Sequence, residues 1–266
     1  MLWCERSERL LWTDILGATL YSRTAQGSLS SWPMPERLAS FALTDSADRL
    51  LLGLASQLAF FDFSSGDVTP ICAVEPELST RVNDGRCDRQ GRFVFGTFHE
   101  NEPRERIGGF YRLNGDLSLE RLPLPACAIA NSICFSPDGA TMYYANSPDR
   151  AIRRCDYPSF ANDRVFAQVP GATGEPDGSC IDADGFLWNA QWGASMLVRY
   201  APDGTVERTV ACPALQPSCV TLGGQYLDTL YVTSARVGLA VPVNAEGSLM
   251  HLKTSVRGLP ESRFLG

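Results

Sequence analysis

The sequence predicts an all-β protein, a six-bladed β-propeller with four antiparallel strands in each blade. Three observations predict it. A turn–strand–turn–strand unit recurs six times at nearly constant spacing. The apolar segments alternate with period 2 and are rich in β-branched and aromatic residues. No stretch of about a dozen residues carries a sustained helical stripe.

The repeats are marked by Leu11, Leu51, Phe93, Met142, Leu187 and Leu230, which follow one another at 40, 42, 49, 45 and 43 residues. Each marker sits in a short apolar segment, as in Arg49-Leu50-Leu51-Leu52 or Gly185-Phe186-Leu187-Trp188. A second segment follows each one, as in Thr19-Leu20-Tyr21-Ser22-Arg23 and Met196-Leu197-Val198-Arg199-Tyr200. Turn formers such as Pro137-Asp138-Gly139 and Pro202-Asp203-Gly204 bound them. Six units of about 40–45 residues, each holding several short strands, are the signature of a propeller with one four-stranded sheet per blade. A doubly wound α/β fold fails for want of helices, and a β-sandwich does not repeat one unit six times. No shift in composition interrupts the array, so residues 1–266 read as a single propeller domain whose first strand begins short, at Met1.

Composition excludes several classes of partner. The chain has 23 Lys and Arg against 30 Asp and Glu, a net charge of −7, so neither a nucleic-acid footprint nor attraction to anionic lipid is expected. Nine scattered cysteines with no C-x-x-C pair argue against a disulfide framework and a structural zinc site, and point to the cytoplasm. Met1-Leu2-Trp3-Cys4-Glu5-Arg6 lacks the charged and apolar regions of a signal peptide. The most apolar run, Leu50 to Phe61, is shorter than the roughly 20 residues a membrane span takes. A monomer or weak oligomer is expected.

Missing motifs narrow the chemistry. Only two histidines, His99 and His251, are present, which eliminates a three-histidine zinc centre. No G-x-S-x-G elbow, dinucleotide fingerprint or P-loop occurs. Asp182-Ala183-Asp184-Gly185 reads as a hairpin turn rather than a calcium loop.

Repeat phase locates the candidate site. Asn83 lies ten residues before Phe93, Asn131 eleven before Met142 and Asp177 ten before Leu187. Three units therefore place a short oxygen-bearing side chain at one equivalent position, just ahead of a strand. Equivalent positions of propeller blades converge on the central axis, and Asn and Asp oxygens suit hard divalent cations. The competing reading is a plain turn, because Asn83-Asp84-Gly85 and Pro176-Asp177-Gly178 are strong turn signals. Against it, Asp138-Gly139 and Asp184-Gly185 already occupy the hairpin turns of their repeats. Arg81 shares the face of Asn83 in an extended strand, where it would hold an anionic or hydroxyl-rich ligand or pair with a carboxylate.

These residues resemble the senescence marker protein/gluconolactonase family of regucalcin-like sugar lactonases, its bacterial sugar-acid lactonases most. The matching stretches include Leu11-Trp12-Thr13-Asp14-Ile15, Arg81-Val82-Asn83-Asp84-Gly85-Arg86-Cys87-Asp88, Ala130-Asn131-Ser132, Pro176-Asp177-Gly178 and Leu230-Tyr231-Val232-Thr233-Ser234-Ala235-Arg236. The resemblance implies a six-bladed propeller holding one divalent cation (Ca, Zn, Mn, Mg or Fe) and hydrolysing sugar lactones to aldonic acids. It puts metal ligands at Asn131 and Asp177; since lactone opening needs a group to take the proton of the attacking water, Asp177 is also expected to be the catalytic residue. It puts substrate contacts at Arg81 and Asn83, and an acidic lid residue at Glu100, with Asn101 and Glu102 as close competitors.

Four departures stand out. The family's glutamate ligand would fall just before Met1, and Glu5 lies on the wrong side of Trp3 to replace it, so either the start lies upstream or the metal site is crippled. The usual Asn-Gly is Asn131-Ser132, the usual Asp-Ser is Asn146-Ser147, and the last blade is shortened between Leu239 and Gly247. The missing glutamate keeps open a non-catalytic propeller that binds a metal or small molecule. A protein-interaction platform and a phosphotriester or aryl-ester hydrolase are further alternatives.

Overall fold

Short Asp-centred turns set the strand frequency along the chain. Asp138 accepts hydrogen bonds from the Ser136 hydroxyl at 2.5 Å and the Ala140 amide at 3.0 Å. Asp182 does the same for the amides of Asp184 and Phe186, at 3.1 and 3.0 Å. Gly139 and Gly185 close these turns with φ of 72° and 82°, a region that favours glycine. Such turns reverse the chain within a few residues, so consecutive strands pair as antiparallel neighbours.

The computed structural model describes residues 1–241 and 245–266. Its strands form six antiparallel sheets, the blades of a six-bladed β-propeller, and the one helical element among the described residues is a 3-10 turn at Ser147–Asp149. Five sheets have four strands, and the sixth has three among the described residues. The shortening expected between Leu239 and Gly247 spans residues 242–244, outside the described residues. None of the described helices is long and apolar enough to cross a membrane.

Two compact units divide the chain: Met1–Ala130 with Pro260–Gly266, and Asn131–Leu259. In the first unit, sheet 1 runs from Leu2–Cys4 to Leu29–Pro33, sheet 2 from Leu38–Leu43 to Val68–Ala73, and sheet 3 from Thr80–Cys87 to Leu119–Arg121. Leu11, Leu20, Phe41, Leu52 and Phe61 fill the space between sheets 1 and 2. Leu51, Val82, Phe93 and Phe95 do so between sheets 2 and 3, joined by Phe264. The Phe264 amide donates to the Leu43 carbonyl at 2.7 Å, which pins the C-terminal segment to sheet 2.

The second unit repeats the scheme. Sheet 4 begins with Ala130–Phe135, sheet 5 with Glu175–Ile181 and sheet 6 with Pro217–Gly223. Tyr143, Ile152, Leu187, Val198 and Tyr200 pack in one cluster, and Trp188, Leu197, Val220, Leu222 and Leu230 in another. Seven of the nine cysteines are buried, among them Cys134 and Cys180, where each packs as a small hydrophobe.

The six sequence markers all fall in the second strand of their sheets, and the segments after them form the third. The first strands of sheets 3, 4 and 5 carry Asn83, Asn131 and Asp177. Asn83-Asp84-Gly85 lies within Thr80–Cys87, and Pro176-Asp177-Gly178 within Glu175–Ile181. Neither is a turn. In sheet 5, Pro176 pairs with Gln191 but Ser179 with Asn189, so one extra residue is inserted at Asp177-Gly178. In sheet 3, Gly85 pairs with Phe95 but Val82 with Thr97, an insertion at Asn83-Asp84. First strands of sheets 2 and 6 carry the same feature at Ala39 and Ser218. These are β-bulges, whose preference for flexible polar residues mimics a turn signal.

Candidate functional site

A bulge frees a carbonyl from the ladder and re-aims the side chain beside it. At Asp177 both consequences are visible. Its backbone oxygen accepts from the Ser132 hydroxyl at 2.7 Å and from Asn189 Nδ2 at 2.8 Å. Its side chain is half-buried, like that of Glu175, in a strand whose other residues are buried. Pro176, with no N–H to lose, suits the irregular position.

Asn131 is buried, and hydrogen-bond logic fixes its amide. The Ser147 hydroxyl has one proton, given to the Pro176 carbonyl at 2.8 Å. Its oxygen must therefore accept, and Asn131 Nδ2 donates to it at 2.8 Å. Oδ1 is thus the end of the Asn131 amide not taken by Ser147. An amide oxygen and a carboxylate on adjacent first strands are hard donors, of the kind that divalent cations such as Ca, Mg or Mn take. Among the described residues no cluster of three or more His, Cys, Asp or Glu side chains could hold a metal, so a cation here would rest on amide as well as carboxylate oxygen.

Upstream of the Asp177 strand, Arg150 gathers the loop. Its guanidinium donates to the carbonyls of Gly171, Ala172, Thr173 and Gly174 at 2.8–3.1 Å. Burial pushes the Glu175 carboxyl above its ordinary range, and Arg150 opposes that shift.

In the first unit, Arg81 donates to Asn83 Oδ1 at 2.7 Å and to the Val82 carbonyl at 2.9 Å, and lies 4.3 Å over the Phe98 ring. Asn83 Nδ2 donates to the Ala130 carbonyl at 2.8 Å. Glu100 receives both arms of the Arg37 guanidinium, at 2.5 and 2.9 Å, and its Oε1 lies 3.8 Å from Arg81 Nε. The Arg37 hydrogen bonds hold the Glu100 carboxyl below its ordinary range against partial burial, helped by the charges of Arg37, Arg81 and Arg104. Asn101 and Glu102 are exposed, so Glu100 is the acid of that segment tied to Arg81. Arg81 therefore meets a carboxylate and an amide at once. Glu5 pairs with Arg263 at 3.1 Å.

Sequence reading missed Arg37, Asn189 and Gln191. Nothing local marks Arg37, which meets its partner 63 positions away. Asn189 and Gln191 did leave a trace: two amides with period 2 in the apolar strand Leu187–Trp192, both fully buried. Neither histidine joins these residues. His99 Nδ1 accepts from the Glu105 amide at 2.9 Å, and His251 is exposed on Leu249–Lys253.

A profile of the SMP-30/Gluconolactonase/LRE-like region matches residues 1–236. The chain belongs to this family. It is 55% identical over 273 residues to the L-arabinolactonase of Azospirillum brasilense, an alignment covering 99% of this chain and 90% of the other. The 6-deoxy-6-sulfogluconolactonase of Pseudomonas putida is 31% identical, with 100% and 94% covered. A calcium-binding protein, the regucalcin of Agrobacterium tumefaciens, has a crystal structure similar to this fold with a TM-score of 0.90, at 28% identity over 98% of this chain and 91% of that one.

Proposed function

We propose that the chain is a divalent-cation-dependent hydrolase that opens a sugar lactone, a five-carbon aldonolactone in particular, to its aldonic acid. The observation that carries this reading is the 55% identity to an L-arabinolactonase across 99% of the chain. Asn131 and Asp177 would hold the cation. When bound, such an ion supplies Lewis-acid polarisation of a carbonyl and stabilises negative charge developing on it.

The remaining work falls to side chains. Hydrolysis joins a water oxygen to the lactone carbonyl carbon and breaks the ring C–O bond, so one proton must leave the water and one must reach the ring oxygen. The Asp177 carboxylate accepts the water proton and returns it to the ring oxygen as the C–O bond breaks. Arg81, steadied by Asn83 and by the Phe98 face, donates to sugar oxygens, and Asn83 presents its amide beside it. Glu100, held by Arg37, accepts from sugar hydroxyls.

Hydrolysis of L-arabinonolactone, followed by acid release, tests this. Turnover should be abolished by a chelator, restored by added divalent cation, and absent in Asp177→Ala with circular dichroism unchanged. Near-native turnover by Asp177→Ala would refute the assignment. Cation binding without turnover on any aldonolactone would favour the binding-only propeller.

A further inference from the structure

We propose that Ser132 and Asn189 act together as positioning residues for Asp177, setting how its carboxylate meets a divalent cation; this rests on the cation site proposed above. Asn189 lies in the second strand of sheet 5 and is fully buried. Its Nδ2 lies 2.8 Å from the Asp177 carbonyl, 3.0 Å from Ser132 Oγ and 2.9 Å from Ser179 Oγ. Two amide protons thus serve three acceptors. Ser132 Oγ takes one and passes its own proton to the Asp177 carbonyl at 2.7 Å. The carbonyl of the bulged residue is thereby held from sheet 4 and sheet 5 together. Holding that peptide plane anchors the Asp177 Cα and narrows the range of positions from which its carboxylate can reach out.

Two features show that this arrangement is held against a cost. Ser132 has φ of 59°, in the left-handed region that a non-glycine residue adopts rarely. Glycine would take this conformation freely but has no hydroxyl to bridge Asn189 and Asp177. Beneath it, Gln191 Nε2 donates to Asn189 Oδ1, which forces Asn189 Nδ2 toward Asp177, while the buried Gln191 Oε1 has no hydrogen-bond partner among the described residues. A strained backbone and an orphaned buried oxygen around one aligned carbonyl are what a site that needs exact aim accumulates.

Manganese binding by the full chain, read from loss of the free-ion paramagnetic resonance signal without substrate, tests the inference. Ser132→Gly keeps the backbone comfortable and removes the hydroxymethyl group, and with it the hydroxyl that bridges Asn189 and Asp177. It should fold with circular dichroism unchanged yet bind Mn²⁺ about tenfold more weakly, and at saturating Mn²⁺ it should lower kcat with KM unchanged. Asn189→Ala should weaken binding further; should it fail to fold, Ser132→Gly decides alone. Loss of binding in Asp177→Ala with wild-type affinity in Ser132→Gly overturns the positioning role and leaves the cation site standing. Equal Mn²⁺ binding by wild type and Asp177→Ala overturns the cation site, and this inference with it.

Discussion

The Ser147 hydroxyl donates to the Pro176 carbonyl at 2.8 Å while accepting from Asn131 Nδ2. One hydroxyl thus orients an amide on one first strand against the bulge of the next. Ser147→Ala removes the acceptor that Asn131 Nδ2 uses and the hydroxyl that ties it to the Pro176 carbonyl. Cation affinity should fall about 10–100-fold, as for other residues that orient a ligand, with circular dichroism unchanged. Calorimetric titration with Mn²⁺ checks it.

The Arg37–Glu100 pair predicts a pH effect. Arg37 depresses the folded-state value of Glu100. A depressed carboxyl contributes stability that is complete above the unfolded value of about 4.3 and is lost as pH falls through the lower folded value. Arg37→Ala should move the Glu100 titration up toward that ordinary value, seen by carboxyl NMR. Both side chains are about one-third exposed, so global stability should drop by less than about 1 kcal/mol, while KM for the lactone rises.

Asp182 predicts the opposite balance, with stability affected and the proposed chemistry spared. It is fully buried and accepts from Trp188 Nε1 at 3.1 Å and Arg199 Nε at 2.8 Å, besides two turn amides. Asp182→Ala removes the buried partner of Arg199, leaving it the more exposed Glu207 at 3.3 Å, together with the acceptor of two turn amides, and should cost roughly 3 kcal/mol in denaturant unfolding. Asp88, fully buried in the matching turn of sheet 3 with Arg92 at 2.6 Å, should behave likewise.

Gly178 is small for packing reasons. A Cβ there would lie 2.9 Å from Cys219 Sγ and 3.0 Å from the Cys219 Cα. Gly178→Ala should push the first strand of sheet 6 away from the Asp177 bulge, costing about 1–3 kcal/mol as overpacking does. Thermal unfolding checks the cost, and Mn²⁺ titration should show weaker binding in the same variant.

Much of this protein was legible in one dimension. Strand alternation, Asp-Gly turns and the spacing of Leu11, Leu51, Phe93, Met142, Leu187 and Leu230 depend on neighbours a few residues apart, so six blades could be counted from the chain. The phase of Asn83, Asn131 and Asp177 was legible for the same reason, since a repeat carries equivalent positions with it. Whether those positions were turns or strands was decided by pairing: an inserted residue has a bulge only when a partner strand continues past it, as Gln191 and Asn189 do beside Asp177. The orientation of Asn131 by Ser147, the grip of Arg37 on Glu100 and the buried amides behind Asp177 join segments 12 to 63 residues apart. Hydrogen bonds of that kind depend on distance and angle in space, which residue spacing along a strand does not encode.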